Sequence, residues 1–178
     1  MDNISIIIRN KDEAEFIGFA IQSCLDFFNK PEIIVMNNES SDDSIEVVQY
    51  FNDRTHINLQ NVTNYRPGQS INLGVKQASK DYILILSGHS QITKLNFDLV
   101  KKELDEHKAV FGKQVPIYRG KKITPRYIWS NFTDDREVNK FSKIENRYFL
   151  HNAFCFYTKE TLLKYPMPEI YASKEEKV

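Results

Sequence analysis

The stretch Asp81-Tyr82-Ile83-Leu84-Ile85-Leu86-Ser87-Gly88-His89-Ser90 decides how the rest of the chain is read. Its five consecutive apolar residues, Tyr82 to Leu86, are too few for an independent helix and rich in strand formers, which predicts a strand buried on both faces. The run then gives way to two hydroxyls, an imidazole and a glycine, at the carboxyl end of the strand, where open α/β sheets keep their ligands. A functional site is expected there. The same four residues also suit a plain turn with a helix cap, so the flanking elements have to decide between the two.

Working outward, Ile4 to Ile8 is a second apolar strand that ends in the polar loop Arg9-Asn10-Lys11-Asp12-Glu13. Asn10 and Asp12 are good capping types for the helix that follows, from Glu13 to about Asn29, where Ile17, Ala20, Ile21, Cys24, Leu25 and Phe28 recur at helical spacing. Glu32 to Met36 is again a continuous apolar run. It opens into Asn37-Asn38-Glu39-Ser40-Ser41-Asp42-Asp43 before a helix carrying Ile45, Val48 and Phe51. Ser41, Asp42 or Asp43 caps that helix, but a cap needs only one or two residues and this run has seven.

A weaker strand falls within Ile57 to Val62, Pro67-Gly68 marks a turn, and Gln69 to Ser79 forms a helix that feeds the central strand. The alternation predicts a mainly parallel sheet with helices on both faces. Beyond Ser90 the pattern predicts a helix over Leu95 to His107 with Leu99, Val100 and Leu104 inward, and a strand over Ala109 to Val115 broken at Gly112. A long charged segment, Pro116 to Asn146, follows, then an apolar and aromatic strand over Tyr148 to Tyr157 and a short helix from about Lys159 to Lys164. His151 and Asn152 read as a satisfied core pair or as pocket lining, and Phe154, Phe156 and Tyr157 as core. Tyr127 and Trp129, outside any periodic segment, are candidates for ligand contacts.

Composition sets the outer bounds. With 178 residues, 41% hydrophobic and 27% charged, the chain suits one soluble domain, and 24 basic against 24 acidic residues give no overall bias toward nucleic acid or anionic membranes. No apolar run approaches the roughly 20 residues of a membrane span, and no signal-peptide pattern precedes Ile4, so a cytoplasmic location is expected. Cys24 and Cys155 lie far apart among apolar neighbours and read as buried thiols.

In order, these motifs resemble family 2 glycosyltransferases, which have a GT-A (Rossmann-like) fold and use a nucleotide-activated sugar. Arg9 to Glu13 is similar to the family's Pro-Thr-Tyr-Asn-Glu-like loop, retaining Glu13. Asn37-Asn38-Glu39-Ser40-Ser41-Asp42 resembles the Asp-Asp-Gly-Ser-Thr-Asp loop that holds nucleobase and ribose, with Asn37 and Asn38 in place of the two leading acids. Gly68-Gln69-Ser70-Ile71-Asn72-Leu73-Gly74 occupies the place of the segment whose Asn, here Asn72, faces the nucleotide, with Arg66 upstream. Most members carry an Asp-X-Asp for a divalent metal where this chain has Ser87-Gly88-His89. Leu86-Ser87-Gly88-His89 and Gly112-Lys113-Gln114-Val115-Pro116 resemble a rhamnosyltransferase-like subgroup of surface polysaccharide synthesis.

The resemblance implies one GT-A domain over 1–178, with a nucleotide-binding half over 1–90 and an acceptor-side half over 91–178, ending where family members generally continue. It implies transfer, with inversion, from a UDP- or dTDP-linked sugar to a glycan or lipid-linked acceptor. Nucleotide-sugar binding then falls to Arg9, Asn10, Glu13, Asn37, Asn38, Ser40, Asp42, Arg66, Asn72, Ser87 and Gly88. A Mg²⁺ or Mn²⁺ site is weakened, since only His89 remains as a candidate ligand and Ser87 is a poor one. Cations from Arg9, Arg66, Lys113, Arg119 or Lys121-Lys122 are the alternative means of stabilising a departing diphosphate. Glu176 is the candidate base and Glu175 the second, against the plainer reading of a solvated charged tail. Two other functions stay open: a nucleotide-sugar-binding protein without turnover, and a nucleotidyltransferase, against which the absence of Gly from Arg9 to Glu13 weighs.

Overall fold

The computed structural model describes residues 1–118, 120–122, 135–142, 146–148 and 150–170. Among these, β1 (Ile4–Asn10), β2 (Glu32–Asn37), β3 (Ile57–Asn61) and β4 (Tyr82–Ser87) run parallel, and β10 (Phe154–Thr158) and β5 (Val110–Phe111) complete one sheet in the order β3-β2-β1-β4-β10-β5. β10 is antiparallel to both β4 and β5. Its leading end therefore lies beside the carboxyl end of β4, where Phe154 pairs with Leu86 and the Ser87 amide donates to the Ala153 carbonyl at 3.1 Å.

The strands are apolar on both sides because helices cover both. On one face Ile4, Ile6, Ile8, Ile33, Val35, Leu84, Leu86 and Phe156 pack against α1 (Ile17–Phe27), α2 (Ser44–Gln49) and α4 (Phe97–Glu106) through Ile17, Ile21, Val48, Val100 and Leu104. On the other, Ile7, Ile34, Met36, Ile83, Ile85 and Tyr157 pack against α3 (Pro67–Gln77) and α5 (Lys159–Lys164) through Ile71, Val75 and Leu162. Cys24 and Cys155 are buried in these cores, and burial pushes both thiols up, that of Cys155 to about 12.

Several expectations need correction. Pro67-Gly68 opens α3 and is not a turn, since proline at the first helical position sacrifices only an N–H with no intrahelical partner. Leu99 faces solvent at 53% exposure, while Val100 and Leu104 are buried as expected. The predicted Ala109–Val115 strand is only Val110–Phe111, and the aromatic strand begins at Phe154: Tyr148 pairs with Phe141 in a separate two-stranded piece, β8 (Phe141–Ser142) with β9 (Arg147–Tyr148). A second such piece pairs β6 (Ile117–Tyr118) with β7 (Lys121–Lys122). The segment read as long and aperiodic is thus partly built from short antiparallel pairs.

Candidate active site

The carboxyl ends of β1, β2 and β3 each finish in asparagine, and register sets Asn10 beside Asn37 and Asn37 beside Asn61. Their amides join in a chain. Asn10 Nδ2 donates to Asn37 Oδ1 at 3.0 Å, and Asn37 Nδ2 donates to Asn61 Oδ1 at 2.9 Å. Ser40 Oγ donates to Asn37 Oδ1 at 2.7 Å and accepts from Asn10 Nδ2 at 3.1 Å and from the Asp12 amide at 2.9 Å. With Asn10 and Asn37 both buried, this network fixes the loops above the sheet to one arrangement.

The β1 and β2 loops are locked to each other by two carboxylates. Asp12 Oδ1 accepts from the Ser41 amide at 2.7 Å, and this bond holds its carboxyl below the usual range, with Lys11 adding to it. Asp42 accepts from the Ala14 amide at 2.9 Å, from the Ser44 amide at 3.0 Å and from the Ser44 hydroxyl. Burial pushes the Asp42 carboxyl up, but the bonds from Ser44 and Ala14 outweigh it and hold it low. Asn10 and Asp12 are thereby committed to loop contacts. The N-cap position of α1 falls to Phe16, which gives no side-chain bond, in place of the caps expected at those two residues.

At the end of β4, Gly88 is required by close approach. Its amide donates to the Arg9 carbonyl at 2.8 Å, and a Cβ there would lie 3.0 Å from that oxygen and 3.3 Å from Asn10 Oδ1. Arg9 reaches from β1 across β4 to β10, donating to Ser87 Oγ at 3.2 Å and to the Asn152 carbonyl at 3.3 Å. Asn152 is held in turn by the Tyr157 hydroxyl, which donates to its Oδ1 at 2.5 Å. Arg9 Nε and Asn10 Oδ1 are buried without a hydrogen-bond partner among the described residues. Since an unpartnered buried polar atom costs about 1–3 kcal/mol, these strand ends carry polar capacity that the described chain does not use.

His89 Nδ1 lies 2.6 Å from Glu13 Oε1, the side chains 59% and 21% exposed. This pair is the nearest approach to a metal site at the strand ends. Among the described residues no group of three or more His, Cys, Asp or Glu converges, so the donors present do not fit an Asp-X-Asp type of centre.

Arg66 and Asn72 lie farther out, at and within α3, and both engage the segment after α5. Asn72 Nδ2 donates to the Met167 carbonyl at 2.9 Å and to Glu169 Oε1 at 2.7 Å, while its Oδ1 accepts from the Met167 amide at 2.9 Å. The Arg66 guanidinium donates to the Glu169 carbonyl at 3.2 Å. Pro168 crosses directly over Gly68, where a Cβ would sit 2.0 Å from the Pro168 carbonyl oxygen. The structure thus brings Arg9, Asn10, Glu13, Asn37, Asn38, Ser40, Asp42, Ser87, Gly88 and His89 to one edge, and ties Asn72 and Arg66 to the Met167–Glu169 strap.

Arg119, Tyr127, Trp129, Glu175 and Glu176 lie outside the described residues. Asn61 and Tyr157 join the strand-end network, and Gln114 contacts His151 beside it, although sequence reasoning gave them no such part. The signal for Asn61 was available, as the third strand that ends in asparagine.

The family model for Glycosyl transferase family 2 matches residues 5–165. The poly-β-1,6-N-acetyl-D-glucosamine synthase of Staphylococcus aureus (strain COL) is 31% identical over 90 residues, which are 48% of this chain and 21% of that protein. Its Staphylococcus epidermidis counterpart is 28% identical over 96 residues, 52% of this chain and 23% of that protein. The chain therefore spans less than a quarter of the length of these curated relatives. In fold it is similar to S. aureus TarS, with a TM-score of 0.69 and 20% identity over 97% of this chain and 31% of that one. It is also similar to TarS 1–349 in complex with UDP-GlcNAc, with a TM-score of 0.53 and 22% identity over 64% of this chain and 37% of that one. The parallel sheet with its polar carboxyl edge, found by structure, and the match along nine-tenths of the sequence agree: this chain belongs to glycosyl transferase family 2.

Proposed function

We propose that this chain is the donor-binding and catalytic domain of a glycosyltransferase that moves a sugar, with inversion, from a UDP- or dTDP-linked donor to a glycan or lipid-linked acceptor in surface polysaccharide synthesis. The observation that carries this reading is the hydrogen-bonded polar network at the carboxyl ends of β3, β2, β1 and β4, the place where an open α/β sheet takes a nucleotide. A poly-N-acetylglucosamine synthase and a TarS complex with UDP-GlcNAc make UDP-GlcNAc the first ligand to test.

In this reading Asn10, Asn37, Asn38, Ser40 and Asp42 shape the nucleoside end, while Arg9, Ser87 and the Gly88 backbone stand beneath the diphosphate. Arg9 supplies positive charge where the leaving group gains negative charge. His89 and Glu13 offer two ligands to a divalent ion, too few for a centre held by protein alone. Glu176, with Glu175 second, is the carboxylate assigned to take the acceptor proton. A second reading, donor binding without transfer, is favoured by the Ser87-Gly88-His89 loop in place of two aspartates.

Calorimetric titration with UDP, dTDP and UDP-GlcNAc, followed by a UDP-release assay with glycan acceptors, tests both. Binding with turnover supports the transferase, and binding without turnover in the full-length protein supports the second reading. No binding of any nucleoside diphosphate at millimolar concentration overturns both.

A further inference from the structure

The Met167–Glu169 strap crosses the carboxyl edge of the sheet and is clamped there by one side chain. Asn72 lies in the second turn of α3, and because α3 follows the parallel strand β3, the amino end of this helix sits at that edge. A carboxamide has two N–H donors and one acceptor oxygen. Both donors of Asn72 go to the strap, to the Met167 carbonyl at 2.9 Å and to Glu169 Oε1 at 2.7 Å, and its Oδ1 accepts from the Met167 amide at 2.9 Å. A backbone N–H only donates and a carbonyl only accepts, so this orientation of the amide is fixed. Buried at 7% exposure, Asn72 has no N–H left to offer a nucleotide.

The strap is stiff and held along its length. Pro166 and Pro168 fix their own φ, and Met167, preceding a proline, is biased to extended backbone. The Met167 side chain packs on the core of the α3 face, and Asn152 Nδ2 lies 3.9 Å from its Sδ. Pro168 crosses over Gly68, and the Arg66 guanidinium bonds the Glu169 carbonyl at 3.2 Å. Asn152 also gives its carbonyl to Arg9, so the strap and the Arg9–Ser87 pair share one neighbour.

We infer that Asn72 is a positioning residue for transfer and no ligand of the nucleotide, fixing the strap from which the chain continues to Glu175 and Glu176. This rests on the proposed function, which assigns those carboxylates to the acceptor proton. Glu176 follows Glu169 by seven residues and the last residue of α5, Lys164, by twelve. At no more than about 3.6 Å per residue, the clamp cuts the reach of Glu176 from its last fixed point from about 43 Å to about 25 Å. A general base has to lie within hydrogen-bond reach of the acceptor hydroxyl, and a misplacement of about 1 Å can cost a hundredfold in rate. The clamp therefore acts on turnover, while donor binding falls to Asn10, Asn37, Ser40 and Arg9.

The test uses the full-length protein, with calorimetry of UDP and a UDP-release assay, UDP-GlcNAc and an N-acetylglucosamine oligosaccharide being the first donor and acceptor. Turnover is counted per UDP site titrated, so that an unfolded fraction does not lower kcat. Asn72→Leu is expected to keep the UDP Kd and the donor KM within about twofold and to lower kcat about tenfold or more. Glu169→Gln, which keeps the acceptor oxygen, should turn over like the parent. Glu169→Leu, which loses it, should show a smaller fall in kcat at the same KM, and Arg66→Lys should keep more activity than Arg66→Ala.

A loss of UDP affinity that matches the loss in kcat/KM makes Asn72 a nucleotide ligand and overturns the inference. So does a kcat within twofold of the parent in Asn72→Leu while the Met167 amide exchanges faster, since the strap is then held without consequence for transfer. Glu169→Gln falling as far as Glu169→Leu overturns it as well, because the carboxylate itself is then the working group. Undiminished transfer in both Glu175→Gln and Glu176→Gln removes the assigned base, and a parent that binds no nucleotide or transfers nothing removes the proposed transfer; the inference falls with either. If Asn72→Leu fails to fold by circular dichroism, the two Glu169 variants decide by the same split between kcat and KM.

Discussion

Gly68→Ala sets helix propensity against a backbone crossing, and the structure says which wins. Alanine in place of glycine within a helix gains up to about 1 kcal/mol. The added Cβ would lie 2.0 Å from the Pro168 carbonyl oxygen and 2.7 Å from its carbon, both rigid backbone atoms. Reaching the ~3.3 Å of a close C···O contact requires the strap to retreat by about 1.3 Å. The three bonds between Asn72 and Met167 or Glu169, now 2.7 to 2.9 Å, would then lie beyond hydrogen-bonding range. At about 1 kcal/mol net for each bond, the loss is about 3 kcal/mol. The variant is expected to be less stable by about 2 kcal/mol in urea unfolding, with faster hydrogen exchange at the Met167 amide. Asn72→Leu breaks the same bonds from the other side, so the double variant should cost much less than the two single changes added together. A Gly68→Ala protein more stable than the parent, with Met167 still protected, would refute the reasoning.

Three further outcomes are expected. Asn37→Asp removes the donor to Asn61 Oδ1 at a site 3% exposed, so it should cost about 1–3 kcal/mol; an unchanged urea midpoint contradicts this. Asp42 lies below its ordinary value of 3.8 in the fold, so the stability it contributes is complete above that pH and is lost as pH falls through the lower folded value. His151 adds a separate slope: its pKa drops from 6.5 to about 4 on folding, so stability declines as pH falls from 6.5 to about 4, and His151→Phe should remove that part of the profile. A parent profile that is flat over that interval, or a slope retained in His151→Phe, would show that the ring is not held neutral. Glu176→Gln keeps shape without basicity and should abolish transfer while leaving UDP affinity unchanged; an undiminished transfer rate would leave Glu175 as the carboxylate to test.

The parallel half of the fold was legible because apolar runs of strand length alternate with helical spacing, and a strand buried on both faces leaves a continuous signature at Ile4, Ile33 and Ile83. Beyond Ser90 the pattern thinned where two-residue strands replace long ones. Val110–Phe111 is too short to show periodicity, and Leu99 occupies an apolar helix position that the sheet does not reach. The cleft was half legible. Polar loops after strands pointed to Asn10, Asn37, Ser40 and Ser87, but the bonds among them depend on register, and a list of loop residues does not contain register. Asn72 illustrates the limit: its place near the amino end of a helix is visible in the sequence, whereas its engagement by Met167, 95 positions away, is a tertiary fact.

The replacements in the cleft make physical sense only as a set. Where the family resemblance has two leading acids in the second loop and two more at the end of the central strand, this chain has Asn37, Asn38, Ser87 and His89. The two acids at the end of the central strand would repel a diphosphate beside them, and a divalent ion is what makes such a site attractive. Removing the carboxylates removes most of that repulsion, so less positive charge is needed to hold the same ligand. The acids that remain close by have their oxygens engaged within the chain. Asp12 and Asp42 accept backbone amides, and Glu13 faces His89. In the proposed function Arg9, bonded to both Ser87 and Asn152, is the cation that meets the diphosphate, with less carboxylate charge to offset before it does so.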